Sequence, residues 1–143
     1  MLVALQEAVA ALEHGDVPVG AVVLDPSNEI VAQRHNERER TGDPTAHAEI
    51  LALRDAAANN NSWHLDGYTL VVTLEPCPMC AGAAVNSRLA TVVYGAADMK
   101  AGSCLSLMNI GGDPRLNHQF EIVDGVLPDE ASALLSKFFA ALR

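Results

Sequence analysis

The sequence contains no run approaching the roughly 18 to 20 consecutive apolar residues that a membrane-spanning helix needs, so no such helix is expected. Its amino-terminal segment carries Glu7 and Glu13 with no basic region before them, so an ordinary export leader is not expected either. Basic side chains are scarce: nine Lys and Arg stand against eighteen Asp and Glu, a formal net charge of −9. Phosphate binding is driven by Lys and Arg displacing counterions, so such a balance excludes strong non-specific attraction to nucleic acid, and any RNA site must be locally basic. Cysteines number only three, Cys77, Cys80 and Cys104, an odd count too small for a disulfide framework. Two of them lie close together, which suits a metal or redox site in the reducing cytoplasm. Internal repeats, low-complexity tracts and a convincing domain boundary are all missing, so residues 1–143 are expected to form one domain around one core.

What is present is half apolar by composition and organised in short alternating segments. Leu2, Leu5, Val9 and Leu12 recur at steps of three and four and predict an apolar helix face over residues 2–14, stopped by Gly15. Val17 to Leu24, the turn Asp25-Pro26-Ser27-Asn28 and the extended run from Ile30 predict a β-hairpin. A polar loop, Asn36 to Pro44, precedes a helix over Ala46 to Ala58, with Thr45 as its candidate cap. Tyr68 to Leu74 predicts a buried strand, Met79 to Asn86 a helix opened by Pro76 and Pro78, and Thr91 to Tyr94 a strand. Phe120 to Val123 is a weaker strand signal, and Glu130 to Leu142 closes the chain as an amphipathic helix. Strands alternating with helices imply an α/β layered fold around a mixed sheet.

Two segments carry the chemistry: Pro44-Thr45-Ala46-His47-Ala48-Glu49 and Pro76-Cys77-Pro78-Met79-Cys80. Each falls at the predicted start of a helix, where partial positive charge and unpaired amide donors favour thiolates. Cys77, Cys80 and His47 supply three corners of a tetrahedral Zn²⁺ site and leave the fourth for water, the arrangement of a catalytic rather than a structural zinc, with the pKa of that water brought toward about 7. Glu49 is placed to move protons between water, a ring nitrogen and a departing amine. It lies two residues beyond His47, roughly 200° around an ideal helix, so the opening turn must be irregular or Glu49 must reach past the metal. A lone CxxC also occurs as a redox pair or as half of a structural zinc ribbon. The structural alternative needs a fourth ligand from Cys104, His14, His35, His64 or His118, none of which has the usual short spacing to a partner.

The H-x-E and P-C-x-x-C segments together match the signature of zinc nucleobase deaminases. With Val17 to Val22, Asp43 to Leu53, Val72 to Ala83, Ser87-Arg88, Tyr94 to Ala96, Ser106 to Asn109, Asn117-His118 and Gly125 to Phe139, the chain resembles the bacterial tRNA-specific adenosine deaminases, within the zinc-dependent cytidine/deoxycytidylate deaminase superfamily. The resemblance implies a three-layer cytidine-deaminase-like fold with a mixed five-stranded sheet flanked by helices, and one Zn²⁺ per chain. It implies hydrolytic conversion of adenosine to inosine at the wobble position of a tRNA anticodon loop, by a homodimer that receives splayed bases. By position, Asn36 matches the asparagine that hydrogen-bonds the base, Ala48 supplies backbone to the pocket, Asp98 and Lys100 match loop residues that meet RNA, and Phe138 or Phe139 supports the rim. Lys100-Ala101-Gly102-Ser103-Cys104-Leu105 departs from the usual family loop. A deaminase of free guanine or cytosine and a non-catalytic zinc-stabilised module are the alternative readings.

Overall fold

The computed structural model describes all 143 residues. In chain order the elements are α1 (Leu2–Ala11) running into a 3₁₀ turn, β1 (Gly20–Leu24), β2 (Ile30–His35), the short α2 (Arg38–Thr41), α3 (Ala48–Asn59), β3 (Thr69–Leu74), α4 (Pro78–Asn86), β4 (Thr91–Ala96), β5 (Glu121–Val123) and α5 (Pro128–Ala141). The sheet order is β2-β1-β3-β4-β5. β1 pairs antiparallel with β2 and β3, while β3, β4 and β5 run parallel, so the expected mixed five-stranded sheet is present. No helix is long and apolar enough to cross a membrane.

Side chains alternate across the strands and sort into two layers of core. Ala21, Val23, Leu70, Val72 and Val92 face α3 and α4 with Ala48, Ala52, Ala84 and Val85. Val22 and Val71 face the other way, onto Ala4 of α1. Helices α1 and α5 share that second face, and the parallel step from β3 to β4 crosses over through α4. The step from β4 to β5 is also parallel but has no helix; residues 97–120 make it as an irregular loop.

The leucine stripe expected to bury α1 does not do so. Ala4, Ala8 and Ala11 are fully buried, whereas Leu2, Val9 and Leu12 are 70%, 50% and 40% exposed. The reason is the distance of approach: a Cβ placed on Gly20 of β1 would run into the Ala4 carbonyl and come within 2.6 Å of the Ala8 amide. Backbone packs on backbone there, and only alanine on the helix and glycine on the strand allow it. Leu2, Leu5 and Val9 instead border an open groove shared with Ala133 and Leu134 of α5. Gly20→Ala should therefore overpack this contact and cost roughly 1–3 kcal/mol. The expected readout is a lower urea midpoint at unchanged slope; a midpoint equal to the wild type would show that α1 lifts off freely.

Candidate active site

β3 delivers the chain to the site. After Leu74 come Glu75 and Pro76, then Cys77 as the N-cap of α4 in extended conformation (φ −72°, ψ 174°), and Cys80 follows in the first turn. His47 is the matching N-cap of α3, also extended (φ −72°, ψ 148°). This removes the geometric difficulty posed by H-x-E spacing: His47 stands outside the helix that Glu49 belongs to, so the two are not separated by helical rotation. Thr45 is accordingly not the cap. Its N–H and hydroxyl both donate to Asp43 Oδ1, at 2.8 and 2.7 Å. The polar loop before it also holds one short helix, α2.

The donor atoms of His47, Cys77 and Cys80 lie within 4.8 Å of one another. His47 Nδ1 is 3.6 Å from Cys77 Sγ and 3.5 Å from Cys80 Sγ. A tetrahedral zinc with Zn–S near 2.3 Å and Zn–N near 2.0 Å requires an N···S edge of about 3.5 Å, so the donor set fits the ion with Nδ1 as the nitrogen that faces it. No fourth protein donor joins the group. The other candidates are committed elsewhere: His14 to Asp16, His35 to Glu7, His64 to Asp66, and His118 to the Leu89 carbonyl. Cys104 is buried, and burial beside Glu75 and Glu49 pushes its thiol up to about 12.

The electrostatics differ sharply between neighbours. The hydrogen bond from Cys80, opposed by burial and reinforced by His47, drives the Cys77 thiol down to about 4. The same hydrogen bond, with burial and the nearby Glu49, pushes Cys80 up. Glu49 is 4% exposed, and desolvation raises its carboxyl to about 7 despite its own backbone N–H and the adjacent His47. Glu75 goes the other way: burial alone would raise it, but the Ser106 hydroxyl and the amides of Leu105, Ser106 and Asp98 hold it below its ordinary range.

Above the donors lies a cavity of about 160 Å³ lined by Val17, Val19 and Leu74 with Asn36, Arg38, Glu49, Glu75, Asp98 and Ala101. That is space for about five waters, enough for one small ring system. Asn36 is buried, donates from Nδ2 to the Val17 carbonyl (3.1 Å) and accepts the Ala48 N–H at Oδ1 (2.9 Å). Ala48 thus spends its amide on orienting Asn36. Asp98 reaches the cavity wall while its Oδ1 accepts the Lys100 and Ala101 amides. Lys100, Phe138 and Phe139 do not line the cavity. Lys100 and Phe139 border a neighbouring groove with Leu135 and Arg143, and the two phenylalanines, edge to face at 5.3 Å, border another with Arg38.

Two charged lining residues, Glu75 and Arg38, were not singled out as site residues in the sequence. Glu75 had one signal, a charge at the end of an apolar strand run immediately before Pro76-Cys77. Arg38 was hidden in a run of alternating charges, and the ion pairs separate it from its neighbours. Arg34 is held by Asp55 (2.9 Å) and Glu37 (3.3 Å), Arg40 by Glu37 (3.5 Å), and Arg115 by Asp113 (2.6 Å). Arg38 and Lys100 have no carboxylate partner and flank the cavity.

A mixed sheet that presents three metal donors and a buried carboxylate at two adjoining helix N-termini defines a zinc-dependent hydrolase of the deaminase class. The chain belongs to the cytidine and deoxycytidylate deaminase family, whose zinc-binding region matches residues 1–96. It is 50% identical to a tRNA-specific adenosine deaminase of Bacillus subtilis over 98% of this chain and 86% of that protein. Among solved structures, one from a study of A-to-I editing by tRNA:A34 deaminases at the wobble position of transfer RNA superposes with a TM-score of 0.90, at 36% identity, over 94% of this chain and 97% of that one. A guanine deaminase from Nitrosomonas europaea superposes with a TM-score of 0.82 at 29% identity, over 96% and 81%.

Replacing a buried sulfur donor should remove the metal and weaken the fold, because metal binding and folding are coupled. Cys80→Ser is expected to fall well below one zinc per chain by atomic emission and to unfold at lower temperature. Wild-type metal content would take Cys80 out of the ligand set.

Proposed function

We propose that this protein hydrolyses adenosine to inosine at the wobble position of a tRNA anticodon loop, in the cytoplasm. One observation carries the chemistry: Glu49 is a buried carboxyl near 7 at the edge of a three-donor zinc site, in a cavity sized for one base. The substrate is supported by similarity to tRNA-specific adenosine deaminases across nearly the whole chain.

His47, Cys77 and Cys80 hold one Zn²⁺, whose Lewis acidity, when it is bound, makes water a nucleophile near neutral pH. Glu49 carries one proton of the attacking water to a ring nitrogen, then the second, from the hydroxyl that water has become, to the amino group, which departs as ammonia. A carboxyl that titrates near neutrality is available in both forms, which this sequence of transfers demands. Asn36, held from both ends, has one Nδ2 hydrogen left to donate to the base. Val17, Val19 and Leu74 exclude water around it. Arg38 and Lys100, the unpaired cations beside the cavity, meet the phosphates, while Phe138 and Phe139 support the rim. Such a site acts on a base turned out of its stack, as in an open anticodon loop.

The similarity to a guanine deaminase and the net charge of −9 favour a second reading, a deaminase of free bases. Ammonia release from an anticodon stem-loop and from free guanine or cytosine separates the two. Inosine at the wobble position and inert free bases are expected; the reverse sinks the RNA reading. Stem-loop binding should weaken with salt, with a logarithmic slope of only about −1 to −2 for two phosphate contacts. Glu49→Gln should keep one zinc per chain while turnover falls by about 10²–10⁴. Undiminished turnover would reject the proton-transfer role.

The protein acts as a homodimer in this reading. Leu105, Leu107, Met108 and Leu116 stand between 42% and 55% exposed around one loop, an apolar surface that a second copy covers. Sedimentation equilibrium should return twice the chain mass. A monomer at micromolar concentration would contradict it.

A further inference from the structure

The loop that follows β4 forms one wall of the cavity without a helix or strand of its own, and a single carboxylate holds it. Glu75 is 2% exposed. Its Oε1 accepts the amides of Cys104, Leu105 and Ser106 at 3.2, 2.7 and 2.9 Å. Its Oε2 accepts the Asp98 amide at 3.0 Å and the Ser106 hydroxyl at 2.5 Å. The chain circles the carboxylate so tightly that a Cβ on Gly102 would collide with Oε2 and with the Asp98 carbonyl. Next to that glycine, Ser103 donates its amide to the Pro76 carbonyl at 2.9 Å, tying the loop to the residue before Cys77. The outcome is that Asp98 and Ala101 line the same cavity as His47 and Glu49.

We propose that Glu75 is a positioning residue of this deaminase: its carboxylate anchors loop 98–106 as the wall of the cavity and so sets how well substrate is captured, not how zinc is held. The proposal rests on the deaminase reading above. Backbone amides can only donate, and a buried donor left without an acceptor loses its full compensation for desolvation. An amide at position 75 keeps the size of the side chain but replaces one accepting oxygen with a donating NH₂ group. Whichever way it is turned, at least one backbone amide of the loop then faces another donor, since only the Ser106 hydroxyl can turn to accept.

Glu75→Gln tests this on the zinc-loaded protein. Zinc should stay at one per chain. With the anticodon stem-loop, KM should rise by about tenfold or more while kcat stays within about threefold. The amides of Asp98, Leu105 and Ser106 should exchange about 100-fold faster, with those of α3 and α4 unchanged. Ser106→Ala removes only the hydroxyl donor and should shift KM and exchange in the same direction by less, so it carries the test if the first variant does not fold. Three results overturn the proposal: loss of zinc, a fall in kcat at unchanged KM, or wild-type exchange in the loop of both variants. If the wild type turns over only free bases, the RNA reading fails separately, and the same split in KM and kcat for that base still decides the role of Glu75.

Discussion

Helix N-termini carry partial positive charge, and α3 and α4 aim theirs at the same few ångströms of space. Such an arrangement repels itself unless an anion lies between the two ends; Cys77, lowered to about 4, supplies one, and bound Zn²⁺ would add the Cys80 thiolate and the Glu49 carboxylate. The extended conformation of His47 and Cys77 matters for the same reason: each residue ends a strand-like approach and turns its side chain into the gap, while its carbonyl accepts the first helical amide, from Leu51 and Ala81 respectively. A dication held between two helix ends would be balanced by two thiolates and one carboxylate. A proton passing from water on that ion to Glu49 would stay inside the cluster and leave its net charge unchanged.

That convergence needs helices close to one another and close to the sheet, and small residues provide it. Ala48, Ala52, Ala56, Ala81 and Ala84 are all buried on the site-bearing face, and on the opposite face Gly20 lies against the backbone of α1 between Ala4 and Ala8. Alanine serves twice, since it allows close approach and costs least in helix propensity. Aromatic residues make up only 4% of the chain, consistent with layers held by short side chains rather than by large ones wedged between them.

Much of this was legible in the sequence because it is local. Strand and helix types, the three donors and Glu49 all sit in patterns a few residues long, and the structure places them as those patterns imply. The failures are long-range. The leucine stripe of α1 has the right period, but burial was decided by how near Gly20 lets the helix come. Residues 100–105 stood out as unusual, yet their anchor, Glu75, is about thirty positions away and left no periodic trace. Arg38 could be told from Arg34 and Arg40 only by knowing which carboxylates lie within reach. The phenylalanines of α5 face grooves beside the cavity rather than the cavity itself, a matter of helix docking that residue type does not encode.

The buried acids show how one chemical group is given opposite tasks. Asp16 is fully buried, which would raise its carboxyl, but the Glu39 and Arg40 amides and His14 bring it below its ordinary 3.8. It thereby anchors the start of α2, which carries Arg38. Glu75 is lowered in the same way by its ring of donors. Groups shifted down stabilise the fold above their ordinary range and lose that contribution as pH falls through the folded value, so both anchors are fully ionised at neutral pH and stay so through catalysis. Glu49 is set deeper and meets fewer donors, and desolvation raises its carboxyl to about 7. Depth of burial and the number of amides aimed at each carboxylate together separate the two scaffold anions from Glu49.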